Sequence, residues 1–409
     1  MTNTRPRLPG YALFAAMLAS AGLPIYIHAP KFYVDEYGVS LAALGTVLFA
    51  LRLFDFVQDP ILGWLSEAAR ARRRTAVAIA ASAMAISMIG LFAVVPPISP
   101  LLWFGLTLTG LFTAFSFLTI CFYAQGVRTA ERLGEDGHTR LAGWRESGAL
   151  FGVCVAAVAP TGLAAVSGHP FAYFSAGFAS LVVLGVFGMR REWAAVSAAP
   201  SPGMGPVLAD GLARRLLLIV LVNATPVAVT STLFLFFVES RLDAPGWEGP
   251  LLLLFFLAAA LSAPLWAQTA RRFGAKPALL AGMGLAIAAF GWAATLGAGD
   301  TFAFALICIA SGAALGADMT LLPAIFARRM AAVSPNAGQA FGLWSFVSKF
   351  TLAFAAVTLL PLLDAAGFRA GSGNTADALT TLTILYALVP CALKLVAIGL
   401  LAATPIEEA

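Results

Sequence analysis

The sequence has little charge and few of the residues that build disulfides or metal sites. Only 11% of its 409 residues are charged, whereas soluble domains carry about a quarter. The four cysteines lie in apolar segments without CxxC spacing, and the three histidines are scattered. This pattern argues against a disulfide framework and a zinc site. The net charge of +5 comes from short basic clusters between apolar runs, so nucleic-acid binding is not indicated.

What the sequence does contain is long apolar runs. It is 60% hydrophobic, with a mean hydropathy of +0.89. Lipid cannot satisfy backbone polar groups, so such a chain must cross a membrane as helices or as a closed barrel, and these runs are too continuous for barrel strands. With about 20 residues needed per span, we predict an all-α membrane protein with twelve transmembrane helices. They are predicted at 10–34, 39–66, 75–95, 100–124, 142–166, 170–190, 213–239, 248–270, 276–296, 301–326, 337–362 and 376–402.

The first run begins after Arg5 and Arg7 and is similar to a signal peptide. It continues past Ala21 as far as Ile27, so we predict an uncleaved first helix.

Lysine and arginine fall mainly in alternate loops. The positive-inside rule places those loops in the cytoplasm, which predicts cytoplasmic termini and a multi-pass protein of the cytoplasmic (inner) membrane. Three cations, Arg52, Lys349 and Lys394, remain inside predicted helices. Lys394 lies near its helix end, so we expect it to extend to the cytoplasmic interface.

Residues 191–212, with the segment AAPSPGMGP, are poor in large apolar residues and predict a cytoplasmic linker. It separates two six-helix halves, 1–190 and 213–409. A basic loop followed by an Ala/Gly-rich helix occurs at the equivalent place in each half, which favours a parallel repeat of the major facilitator kind. The small residues of ASGAALGAD (310–318) predict close helix packing.

Ionisable residues cluster on the second predicted helix. In LRLFDFVQDPILGW, Arg52, Asp55 and Asp59 have the spacing i, i+3 and i+7, so they lie close to one helix face. A charge at mid-membrane costs about 2.5–3.5 kcal/mol on insertion scales and by default indicates function. Two stacked carboxylates resist joint ionisation without a cation. We therefore predict a site for a transported proton, Na⁺ or Li⁺, with no resident cofactor or metal.

Lys349 lies in the middle of the predicted helix 337–362. Asp55 lies at a similar depth in an antiparallel helix, so we expect Lys349 to pair with Asp55 or Asp59. A static salt bridge is the alternative, and Arg52 also fits as a neutralising partner of Asp55. Asp318 fits either a polar cavity or a hydrogen bond to a neighbouring helix. Three aromatic residues fit either stacking on a ring-shaped substrate or ordinary packing: Tyr26, Tyr123 and Trp344.

Several segments together resemble one transporter family. They are YVDEYGVSLAALG, FDFVQDPILGWLSE with the following arginines, RLAGWRESGALFG, SGAALGAD and FGLWSFVSK. The sequence from about residue 24 to about residue 362 is similar to the glycoside–pentoside–hexuronide:cation symporters of the major facilitator superfamily. This resemblance implies a major facilitator fold, solute uptake together with Na⁺, Li⁺ or H⁺, and alternating access.

The resemblance also implies roles for individual residues. The family's cation ligands match Asp55, Asp59 and Ser116, and its helix-eleven lysine matches Lys349. Its arginine at the start of the fifth helix and its sugar-stacking aromatic match Arg145 and Tyr123. Sugar-carrying members have aspartates where this chain has Ala19 and Thr119, so the part of the site that contacts sugar is altered here.

These observations favour a monomeric, cation-coupled symporter of a small solute, most simply a sugar or glycoside, whose only other partner is the lipid bilayer. The residues at 19 and 119 favour an alternative, a proton-linked carrier or exporter of a less polar solute such as a lipid-like or aromatic compound. A membrane enzyme would need a nucleophile and base or metal ligands, and the loops offer little beyond His138. A receptor or scaffold would leave the intramembrane carboxylates without a purpose.

Overall fold

The computed structural model describes residues 7–134, 136–193, 203–334, 337–368 and 373–406. Within these ranges the regular structure is helical and contains no strand. The helices are α1 Leu8–Ser20, α2 Leu23–Tyr37, α3 Leu41–Ala68, α4 Arg73–Phe92, α5 Pro100–Glu131, α6 Gly137–Ala164, α7 Pro170–Met189, α8 Gly205–Ala209, α9 Gly211–Phe236, α10 Glu248–Phe273, α11 Ala275–Ala293, α12 Thr301–Val333, α13 Gly338–Ala365, α14 Ala376–Thr383 and α15 Val389–Ala402.

The first predicted helix, 10–34, is wrong as a continuous element. The structure breaks it into α1 and α2 at Ala21 and Gly22. Gly22 has φ −92° and ψ −120°, outside the helical region, and Pro24 lies in the first turn of α2. Glycine adopts such a conformation readily, and proline is tolerated in a first helical turn because its missing N–H would be unpaired there anyway.

Nine helical stretches among the described residues are long and apolar enough to cross a bilayer. One of them, Val57–Phe92, runs from α3 through the basic 3₁₀ turn Ala69–Arg72 into α4. The others are Pro100–Glu131, Gly137–Ala164, Pro170–Met189, Gly211–Arg241, Glu248–Phe273, Ala275–Ala293, Thr301–Val333 and Ala376–Ala402. The number twelve and the cytoplasmic position of the termini therefore stay predictions.

Large apolar side chains cover much of the helix surface. Phe302, Ile86 and Val183 each expose two thirds or more of their area. Extended apolar surfaces of this kind are rare on soluble monomers. They suit helices that face lipid.

The described chain forms two compact units. Unit 1 comprises Met1–Val207 and Met330–Phe346, and unit 2 comprises Leu208–Arg329 and Val347–Ala409. The predicted division at a linker of residues 191–212 stays a prediction, since part of that segment lies outside the described residues.

In unit 1, α1 packs on α6 and α7, α4 packs on α5 and α7, and α3 packs on α5. The backbones of α1 and α6 approach closely where α6 has a glycine. A Cβ atom on Gly152 would lie 2.7 Å from the Cα of Ala16. Only glycine allows this approach without a shift of backbone.

In unit 2, α15 packs on α9 and α11, and α10 packs on α11. Glycines of α12 allow it to approach α10. A Cβ on Gly312 would lie 3.0 Å from the carbonyl carbon of Phe255, and one on Gly316 would lie 2.8 Å from the carbonyl oxygen of Ala259. The predicted close packing of residues 310–318 is therefore confirmed.

Unit 2 also contains two π-helical turns, Phe237–Arg241 after α9 and Ile384–Leu388 between α14 and α15. The Leu242 N–H donates to the Phe237 carbonyl at 3.1 Å, a step of five residues. The Phe237 and Tyr386 rings, one from each turn, stack with centroids 4.2 Å apart and planes 16° apart. Both side chains are buried in the core of unit 2.

Candidate functional site

The two aspartates predicted to bind a cation lie on α3 and are buried. Asp55 is 5% exposed and Asp59 is 0% exposed. They are one helical turn apart, on a helix that begins at the N-cap Ser40, whose Oγ accepts from the Ala43 N–H at 3.2 Å. The helix therefore presents both carboxylates on one face, as the spacing predicts.

Asp55 belongs to a chain of side-chain hydrogen bonds that joins α3 to α5. The Gln58 amide donates from Nε2 to Asp55 Oδ1 at 2.7 Å, and the Thr113 hydroxyl donates to Gln58 Oε1 at 2.9 Å. Gln58 is itself buried. Since a carboxylate only accepts, the Gln58 amide orients one oxygen of Asp55 without adding charge.

Asp59 accepts a hydrogen bond from α13. The Ser345 hydroxyl donates to Asp59 Oδ2 at 2.6 Å. Ser345 was not predicted as a site residue. Its position in FGLWSFVSK could have indicated it, because Ser345 lies one helical turn before Lys349 and therefore on the same helix face. The predicted pairing of Lys349 with Asp55 or Asp59 stays a prediction.

Glycines allow the backbone of α3 to approach the beginning of α13. A Cβ on Gly342 would lie 2.9 Å from the Asp59 carbonyl oxygen and 3.0 Å from the Gly63 Cα. One turn further along α3, the buried carboxylate of Glu67 accepts from the Gln339 backbone N–H at 2.9 Å and from its Nε2 at 3.0 Å. Glu67 thus binds a free N–H of the first turn of α13. This contact fixes the height at which Ser345 meets Asp59.

The third predicted cation ligand, Ser116, lies on α5 and is 1% exposed. It follows Thr113 by three residues, so both lie on the side of α5 that packs on α3. Its role as a cation ligand stays a prediction.

A second buried cluster joins α5 to α6. The guanidinium of Arg145 lies over the ring of Tyr123, 3.8 Å from its centroid. Arg145 Nε donates to Glu146 Oε1 at 2.6 Å, and the Tyr123 hydroxyl donates to the same oxygen at 3.0 Å. Arg145 and Glu146 are 5% and 2% exposed. Two predicted residues therefore share a carboxylate that was not predicted.

Tyr123 has a neighbour on α13 as well. The Phe341 ring lies 5.2 Å from the Tyr123 ring, and the Trp344 ring lies 6.4 Å from that of Phe341. Thr119 lies one turn before Tyr123, and its hydroxyl is buried without a hydrogen-bond partner in the described part of the chain. Substrate roles for Tyr123, Trp344 and Thr119 stay predictions. The side chains of Tyr26 and Arg52 lie outside the described residues.

Unit 2 contains a buried ion pair. Lys394 Nζ of α15 is bonded to Asp318 Oδ2 of α12, and it donates to Asn223 Oδ1 of α9 at 2.6 Å. Lys394 is only 2% exposed, so the prediction that it extends to the membrane interface is wrong. A buried ammonium needs a counter-charge, and Asp318 supplies it. For Asp318, these bonds match the predicted alternative of contact with a neighbouring helix, and a cavity role stays a prediction.

Comparison with known families is decisive for the class of the protein. The sequence matches the family model described as MFS/sugar transport protein over residues 8–408. The chain belongs to the MFS/sugar transport protein family. The prediction of a major facilitator transporter of the sugar-transport type, made from the sequence, is confirmed.

Solved structures give the fold of this MFS/sugar transport protein. It is similar to a bacterial homologue of the iron transporter ferroportin in an outward-facing state, with a TM-score of 0.71 and 13% identity over 97% of this chain and 99% of that one. It is also similar to the fucose:proton symporter of E. coli, with a TM-score of 0.66 and 13% identity over 95% and 97%. Both are major facilitator transporters, and at this identity the likeness concerns the fold alone.

Membership of the MFS/sugar transport protein family makes this chain a multi-pass membrane transporter and not an enzyme. Three side chains next to predicted residues escaped sequence reasoning: Ser345, Glu146 and Asn223. Each is a polar residue that has a hydrogen-bond partner on another helix. Glu146 directly follows Arg145, so its charge was indistinguishable from that of an interfacial residue near a helix start.

Proposed function

We propose that this transporter is a symporter of the cytoplasmic membrane that couples uptake of a small solute to Na⁺, Li⁺ or H⁺. It acts by alternating access, as a monomer with twelve spans and both termini in the cytoplasm, and without a resident cofactor. The observation that supports this most directly is the buried pair Asp55 and Asp59 on α3.

The chemistry of that pair suits a coupling ion. Two carboxylates one turn apart repel each other in a medium of low dielectric, and a bound proton or monovalent cation relieves the repulsion. The Gln58 amide and the Ser345 hydroxyl each hold one oxygen in place. In our proposal Ser116 completes the oxygen ligands, and Lys349 links occupancy of the cation site to occupancy of the solute site.

A sugar or glycoside is the proposed solute. The family description supports this class, and the fold is one that the fucose:proton symporter also has. The residues proposed for solute binding and coupling are Arg145, Tyr123, Asp318, Trp344, Arg52 and Tyr26.

A second candidate function is a proton-linked carrier or exporter of a less polar solute. Ala19 and Thr119 favour it, because the sugar-carrying relatives have hydrogen-bonding carboxylates at these two positions.

The test is uptake by purified protein in liposomes, with an imposed gradient of Na⁺, Li⁺ or H⁺ and a panel of sugars, organic acids and lipids. We expect Asp59→Asn to abolish gradient-driven accumulation but to retain exchange of solute across the membrane. Asp377→Asn makes the same chemical change at an exposed position of α14 and serves as the matched control.

Unchanged gradient-driven accumulation by Asp59→Asn would sink the coupling proposal. Thermal stabilisation by apolar compounds, without any by glycosides plus cation, would favour the second candidate instead.

A further inference from the structure

The Arg145–Glu146 pair leaves one acceptor and one donor unused on adjacent residues. Both hydrogen bonds to Glu146 reach Oε1, and its Oε2 accepts none from the described residues. Arg145 Nη2 is buried and also has no partner among them. The α5–α6 cluster, defined as Thr119, Tyr123, Arg145 and Glu146, therefore presents a carboxylate oxygen next to a guanidinium N–H.

Both side chains are more than nine-tenths buried, where an unpaired polar atom is costly. The pair is held rigidly, because Tyr123 lies against the guanidinium with its ring and donates to the carboxylate with its hydroxyl. The hydroxyl of Thr119, one turn earlier on α5, is likewise buried and unpartnered within the described chain. Three unpaired groups on two neighbouring helices point to a ligand that hydrogen-bonds to all of them.

The charges of the pair restrict that ligand. The guanidinium and the carboxylate cancel, so the cluster has no net charge to attract an ion. An anionic group would meet the Glu146 carboxylate, and a cationic one would meet the Arg145 guanidinium. An apolar ligand would leave all three atoms unpaired. A neutral group that both donates and accepts, such as a hydroxyl, satisfies the cluster.

We propose that Glu146 is a solute-binding residue and that the solute is a neutral polyol recognised through two adjacent hydroxyls. One hydroxyl donates to Glu146 Oε2, and the oxygen of its neighbour accepts from Arg145 Nη2. This inference rests on the proposed symport of a sugar or glycoside and adds its recognition chemistry. Glu146 supplies, from the first half of α6, the carboxylate that positions 19 and 119 lack in this chain.

The test begins with binding measured without any gradient, on the purified full chain. The probes are myo-inositol, D-glucose, D-xylose and their methyl glycosides, compared with D-glucuronate and with an alkyl phospholipid, each with and without Na⁺. For the neutral polyol that binds best, we expect Glu146→Gln to weaken binding about tenfold, which corresponds to about 1.4 kcal/mol. Glutamine has nearly the same volume as glutamate, so the loss of affinity reflects the lost carboxylate and not a change in packing.

Deoxy analogues of that polyol distinguish a direct contact between Glu146 and the solute from a role in which Glu146 only orients Arg145. Removing the hydroxyl that donates to Glu146 should weaken binding to the wild type about tenfold but change binding to Glu146→Gln little. Equal losses in both proteins would overturn the proposal, because Glu146 would then act only by orienting Arg145. If Glu146→Gln does not fold, Glu146→Asp, which keeps the charge but withdraws the carboxylate by one methylene group, is compared with the wild type in the same way.

The outcomes separate this inference from the coupling proposal. Polyol binding that ignores Na⁺, Li⁺ and pH would contradict cation coupling and leave the Glu146 assignment standing. Cation-driven uptake of glucuronate or of a lipid, with no neutral polyol bound, would contradict the Glu146 assignment and leave cation coupling standing.

Discussion

Units 1 and 2 each bury carboxylates, but they satisfy them differently. In unit 1, Asp55 and Asp59 accept hydrogen bonds from an amide and a hydroxyl, both of which are neutral. In unit 2, Asp318 is bonded to the ammonium of Lys394, which the Asn223 amide also holds. In the first arrangement a neutral donor orients one oxygen of each carboxylate. In the second an ammonium binds the carboxylate directly.

This difference shows which hydrogen bonds can survive a change of charge. A neutral amide or hydroxyl can keep donating to a carboxylate oxygen while the carboxylate binds or releases a small cation. A buried ion pair cannot lose either charge without leaving the other uncompensated in a medium of low dielectric. We therefore expect the Gln58 and Ser345 contacts to tolerate a change of charge, whereas loss of either charge breaks the Lys394–Asp318 contact.

The largest expected effect is that of Lys394→Met. The methionine nearly matches the lysine in length but leaves the Asp318 carboxylate buried without a partner, and breaking such a pair costs about 3–5 kcal/mol. Denaturant titration of the purified protein in mixed micelles measures this loss.

The double variant Lys394→Met/Asp318→Leu is the control for that loss. It removes both charges and should recover to within about 1–2 kcal/mol of the wild type. If the double variant were as unstable as the single one, the charge pair would not be what holds α12 to α15.

The next effect concerns the glycine contact that places Ser345 beside Asp59. Gly342→Ala puts a methyl group 2.9 Å from a backbone oxygen of α3, and such overpacking costs about 1–3 kcal/mol. Gly284→Ala on α11 is the matched control, because its Cβ would meet nothing within 4 Å. Equal stability of the two variants, measured by the same titration, would show that α13 can move away from α3 without cost.

A smaller effect is expected at the exposed end of unit 2. Asp210 caps α9 by accepting from the Ala213 N–H at 2.7 Å, and it forms a two-bond ion pair with Arg329 of α12. Asp210→Ala loses the cap and should cost about 1 kcal/mol. Asp210→Asn keeps the cap but removes the negative charge, so its effect measures the ion pair with Arg329 alone.

The stabilisation by Asp210 should also depend on pH. Hydrogen bonding from Arg329, and then from Ala213, holds the pKa of Asp210 below its ordinary value of 3.8. A lowered pKa in the folded state means that the stabilisation is complete above about pH 4 and is lost as the pH falls through the folded-state pKa. The difference in melting temperature between wild type and Asp210→Asn should thus shrink on acidification; a constant difference would contradict a role of the charge.

The sequence predicted the helices well because each apolar run has to satisfy its own backbone within lipid. It also placed Asp55 and Asp59 on one helix face, since that depends on spacing alone. It missed the break at Gly22, because glycine is common within membrane helices and does not by itself indicate where the backbone departs from helix.

Contacts between helices were the part that the sequence did not reveal. Lys394 was misplaced because its distance from the helix end gives its depth but not the direction in which its side chain points. Glu146 was not selected because its position in the sequence does not show that its side chain faces Tyr123. Such residues acquire a role only when a partner on another helix, Asp318 or Tyr123, is known to lie opposite.

The π turn Ile384–Leu388 has one more residue than an α-helical turn requires, and it immediately precedes α15. If the same number of residues were wound there as α-helix, everything beyond would be rotated by about 100° around the helix axis. Lys394 would then turn away from Asp318 although no atom of either had changed. The meeting of these two charges thus depends on a turn that takes up one extra residue before α15 begins.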